Sequence, residues 1–193
     1  MADDMKQLRP PDILHLQAAQ GWLELGNHAE ANAELEKITP QLRAHPDVLQ
    51  VRRAIYAAAE KWEPAVEVAR TIAQVLPDSP FGWIHWAFGL HELKRTEEAR
   101  SVLLPVLDRF RTEYLMRYNL ACYACQLGNL KEAWRWLEKA IDMAVCLSVA
   151  RGFWNACYPN RQLPLYLGKL DDAQHIKIAE QRVKTEIEEV QAK

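Results

Sequence analysis

The chain has 193 residues, of which 49% are hydrophobic and 26% charged, enough apolar material for one domain with a continuous core. A formal net charge of -2, with both signs interspersed, leaves no basic stripe of the kind that nucleic acid requires. The N-terminus MADDMKQLRPPD carries acids and no apolar run, and no stretch approaches the roughly 20 apolar residues of a membrane span, so a soluble, cytoplasmic protein is expected.

Residues 1–11 read as a tail ending in Pro10-Pro11, with Asp12 as the first helix cap. In residues 12–45, Leu14, Ala18 and Trp22 share one helical face, and Gly26-Asn27 supplies a turn. A second helix then carries Ala31, Leu35 and Ile38 and stops near Pro40. Residues 46–79 open on Pro46-Asp47 with Gln50 at capping-box spacing, and continue with Leu49, Tyr56, Trp62, Ala65 and Ala69. Residues 80–113 follow Ser79-Pro80, a cap and a first-turn proline, and crowd Phe81, Trp83, Trp86 and Phe88 into one helix. Trp83 is expected in the core, and Pro105 should kink the helix that follows. Residues 114–147 carry Leu120, Ala121, Ala133, Leu137 and Ala140. The pattern fails in 148–193, where an irregular connection is expected over 159–169 and a one-sided helix with Ile176, Ala179, Val183, Ile187 and Val190 should act as a cap.

The turns Gly26-Asn27, Glu60-Lys61, Lys94-Arg95 and Gly128-Asn129 recur every 34 residues without insertion, and each unit has alanine at its twentieth position. A helix, turn and helix at this period resembles the tetratricopeptide repeat. The resemblance implies an all-α, right-handed superhelical solenoid of four repeats (12–45, 46–79, 80–113, 114–147) with a C-terminal capping helix. Arg53 departs from it, standing where the other units have Ala19, Ala87 and Ala121. Either the helix is rotated locally there, or the Arg53 stem packs while its head escapes to solvent.

The family's first helices line a groove, which here implies exposed positions at Ile13, Leu16, Gln17, Gln20 and Leu23 in the first unit and Asp47, Gln50, Val51, Ala54 and Ala57 in the second. The third unit would add Phe81, Ile84, His85, Phe88, His91 and Glu92, and the fourth Leu115, Tyr118, Asn119, Cys122 and Cys125. The partner-binding set expected from this row is Gln50, Val51, Ala54, Phe81, Ile84, His85, Phe88, His91, Tyr118, Asn119 and Cys122. Some chaperone adaptors of the family clamp an acidic tail with Lys, Asn and Arg. The matching places here hold Leu16, Gln20, Val51, Phe81 and His85, which include no fixed cation, so no such tail should bind.

There is no phosphate loop, nucleophile elbow or His-Glu-x-x-His, and the four cysteines lack a disulfide-framework spacing, so reduced thiols are expected. Cys122-x-x-Cys125 with His85 and His91 is a thinkable zinc set, but four ligands on extended helices must converge to about 2 Å from one point, so packed thiols are preferred. The expected function is a non-enzymatic scaffold or adaptor that takes a peptide or helix of another protein in its groove, with no cofactor, metal, nucleic acid or membrane involved. The alternative is self-association through the C-terminal helix or an edge of the solenoid.

Overall fold

The computed structural model describes residues 7–144, without the side chains at 141, 142 and 144. The start of the expected tail and the expected cap and connection over 148–193 lie outside the described residues. The described residues form α1 (Asp12–Glu24), α2 (His28–Glu36), α3 (Pro46–Ala58), α4 (Trp62–Val75), α5 (Pro80–Glu92), α6 (Thr96–Leu103), α7 (Tyr114–Gln126) and α8 (Leu130–Ala144), and no strand. Short 3-10 turns follow at Pro40–Leu42 and Leu104–Val106. The chain divides into two compact units, Met1–Val102 and Leu103–Lys193.

One backbone device ends the first helix of each pair. Gly26, Glu60, Lys94 and Gly128 all take positive φ, at 76°, 54°, 63° and 79°. The following amide then reaches back to the last turn: Asn27 N–H donates to Trp22 O at 2.9 Å, Lys61 to Tyr56 at 2.8 Å, Arg95 to Leu90 at 2.9 Å and Asn129 to Ala124 at 2.8 Å. This closure satisfies carbonyls that the helix end leaves unpaired. Asn27 and Asn129 also begin the next helix, accepting from Glu30 N–H and Glu132 N–H at 3.2 Å each.

In the first unit α1 packs on α2 and α3, α2 on α3, α3 on α4, and α4 on α5. Leu16, Ala19, Ala31, Leu35, Ile38, Val48, Val51 and Ile55 make one apolar cluster with Leu8. Ala65 and Ala99 are buried as Ala31 is, and in the second unit, where α7 packs on α8, so is Ala133. Small residues are needed at such contacts because the helices approach closely. Gly82 and Gly89 show how closely: a Cβ on Gly82 would lie against the Ala73 backbone, 2.7 Å from its Cα, and one on Gly89 would lie 2.6 Å from Val66 Cγ2.

Several local expectations change. Asp12 is the first residue of α1 and not its cap; its buried carboxylate accepts from Thr39 N–H at 2.6 Å and Thr39 Oγ1 at 3.2 Å, tying the start of α1 to the end of α2. His45 replaces the expected capping box, its Nδ1 accepting from Asp47 N–H at 3.3 Å. Pro105 ends α6 in a 3-10 turn, because its ring cannot continue the ladder. Leu14, Ala18 and Trp22 do share a face, but it is open: Leu14 is 57% exposed and Trp22 38%. Trp83 is half-buried, with Nε1–H donating to Pro77 O at 3.1 Å and its ring stacked 6.0 Å from Trp86.

Candidate interaction surface

Helix α5 begins where Ser79 Oγ accepts from Phe81 N–H at 3.4 Å and Pro80 presets the first turn. Residues four and seven positions after Phe81 then return to its side of the helix, which brings Phe81, His85 and Phe88 onto one stripe. The Phe81 and His85 rings meet edge to face at 4.3 Å, and Phe88 meets Trp62 of α4 edge to face at 5.7 Å. Phe88 remains 37% exposed. Gln50 and Ala54 of α3, with Phe81, His85 and His91 of α5, are half-buried. Val51 and Ile84 are buried, as is Leu16 of α1, because the helices turn these positions toward the core.

Arg53 is the functional candidate that sequence reasoning passed over. Its guanidinium carbon stands 5.6 Å from the Phe81 ring centre, a cation–π distance. Nε is sealed from solvent and has no hydrogen-bond partner. Burial lowers the pKa of this group below the usual arginine value. Burial, with the charge of Arg53 as a second cause, brings His85 down to about 4, so its ring is neutral near pH 7. The signal was present in the sequence, since an arginine in a slot filled elsewhere by alanine must displace something; what the one-dimensional pattern lacked was the direction of its head.

In the second unit, α7 places Tyr118 half-buried and Asn119 and Cys122 buried. Burial pushes the Cys122 thiol up to about 11, so it is a poor nucleophile. Cys146 and Cys157, for which reduced thiols were also expected, lie outside the described residues. His91 Nδ1 lies 3.1 Å from Thr96 Oγ1. Among the described residues no group of three or more His, Cys, Asp or Glu is placed to hold a metal ion, and no helix is long and apolar enough to cross a membrane.

The sequence matches no family model and no curated protein. Solved structures do match. MamA 41-end from Desulfovibrio magneticus RS-1 superposes with a TM-score of 0.62 at 18% identity, covering 97% of this chain and 100% of that one. A MamA RS-1 double mutant gives 0.65 at 17%, covering 96% and 98%. The Pseudomonas aeruginosa protein PilF gives 0.63 at 20%, covering 89% and 85%. Both MamA and PilF are tetratricopeptide-repeat proteins.

The fold is of the tetratricopeptide-repeat type. The four positive-φ turns are its local counterpart, each set 34 residues after the last. At these identities the likeness concerns architecture, and the binding face must be argued from this chain's own residues.

Proposed function

We propose that this tetratricopeptide fold is a non-catalytic protein-interaction scaffold, and that the face built by α3 and α5 takes a peptide or helix from another protein. The observation that carries the reading is the aromatic stripe of α5, with Phe81, His85 and Phe88 partly open. Large apolar groups held by packing are efficient anchors, each worth about 1.5 to 3 kcal/mol when fully buried. The contact set proposed for the first unit is Gln50, Ala54, Phe81, His85, Phe88 and His91, with Val51 and Ile84 supporting it from beneath; Tyr118, backed by Asn119 and Cys122, is proposed in the second unit. Affinity capture with the full chain and with Phe88→Ala in parallel tests this reading: the captured set should weaken at least tenfold while the melting temperature holds.

A second reading, self-association through an edge, is supported by α1. Leu14, Ala18, Gly21 and Trp22 form its open face, extended by Leu25 at 77% exposure. The corresponding Val48 and Gly82 of the following units are buried, Gly82 against Ala73 of α4. Such a patch is a candidate contact between copies.

A further inference from the structure

Arg53 poses a problem that the fold alone does not solve. A guanidinium taken out of water loses hydration worth several kcal/mol unless an anion or a full set of hydrogen bonds replaces it. Here the Phe81 ring supplies one face at 5.6 Å, while Nε is sealed and unsatisfied. The ionisable neighbour acting on this charge is His85, whose ring lies against Phe81 at 4.3 Å. A histidine offers no negative charge. Nε alone among the Arg53 nitrogens is both sealed and unsatisfied, so the two terminal nitrogens are the edge open to a ligand.

We infer that the terminal nitrogens of Arg53, backed by the Phe81 ring and flanked by His85, bind a carboxylate carried by the polypeptide that occupies the α3–α5 face. The inference rests on the interaction reading of that face and adds its charge requirement. A carboxylate fits better than a phosphate because the site has one positive charge: His85 is neutral at pH 7, leaving nothing to balance a dianion. A charge-assisted pair in a partly dehydrated place is stronger than an exposed ion pair, and it would relieve the cation that folding left uncompensated. The charge also comes from an unexpected element. The positions that the family resemblance marks for a clamp hold Leu16, Gln20, Val51, Phe81 and His85; Arg53 reaches the same face from a slot normally given to a small residue.

The test uses the full chain labelled with 15N at arginine and histidine. Loss of a signal in Arg53→Met assigns the Arg53 Nε–H resonance. Acetate is titrated at constant ionic strength against chloride, with acetamide as the neutral isostere. The expected result, read at pH 7 where the probe is ionised, is a saturable Arg53 Nε–H shift with acetate alone. N-acetylglutamic acid α-amide and N-acetylalanine then distinguish a side-chain carboxylate from a chain terminus, and saturation by either supports the site. Equal, unsaturated responses to acetate and chloride would overturn it, as would a saturable acetate effect on the His85 ring signals at pH 7 that survives in Arg53→Met. Arg53→Gln repeats the comparison if the methionine variant does not fold. A failed titration leaves the anchoring role of Phe88 to be judged by its own capture experiment, so the two ideas fail separately.

Discussion

Arg53 and His85 give the first unit a local electrostatic cost that should be measurable without any partner. Replacing a half-buried guanidinium, whose Nε–H has no acceptor, by an apolar chain of similar length removes the unsatisfied donor. Arg53→Met is therefore expected to raise folding stability by about 1 to 2 kcal/mol, seen as a higher urea midpoint with an unchanged slope. His85 has a depressed folded pKa, so the unfolded chain binds its proton first as pH falls. Its contribution is complete above about 6.5 and is lost as pH drops toward about 4. The His85 ring signal should titrate near pH 4, and a midpoint near 6.5 would show that the ring is solvated. Asp12 adds a second acid-sensitive contact: the Thr39 amide lowers its pKa, so this tie between α1 and α2 is present above the ordinary carboxylate range and lost below it.

At the scale of the element, the four turns and the two glycines of α5 decide how the helices meet. Gly26 sits at φ 76° at no steric cost, whereas Lys94 holds φ 63° with a side chain. Gly26→Ala should destabilise by about 1 kcal/mol, and Lys94→Gly should be neutral or stabilising, both read from denaturant midpoints. The opposite rule governs Gly82, where a methyl group would meet the Ala73 backbone. Gly82→Ala is expected to cost about 1 to 3 kcal/mol and to loosen α5 against α4. The turns were legible because Gly-Asn pairs and a strict period name them even where Glu60 and Lys94 replace glycine. The caps were less so: Asp12 and His45 have their roles fixed by Thr39, 27 residues away, and by the Asp47 amide, and a local pattern does not contain the first of these contacts.

For the whole molecule, the period of 34 made the fold readable before any coordinates, since only a stacked helix-turn-helix array satisfies it. The surface was harder to read. Helical spacing cannot tell a face covered by the next pair from one left open, so it grouped Leu14 with Trp22 without showing that their face is exposed, while Leu16, Val51 and Ile84 looked open and are buried. Edge self-association has its own expected outcome: in analytical ultracentrifugation, Trp22→Glu should shift any dimer to monomer, and an unchanged distribution would assign dimerisation elsewhere. We propose that the α3–α5 face holds another protein. The most direct measurement is quantitative affinity capture in parallel from wild type, Phe81→Ala, Phe88→Ala and Trp22→Glu, each confirmed to be folded. One partner set should be lost from both α5 variants and kept by the α1 variant; partners retained by Phe81→Ala and Phe88→Ala but lost from Trp22→Glu would place the binding surface on α1 instead.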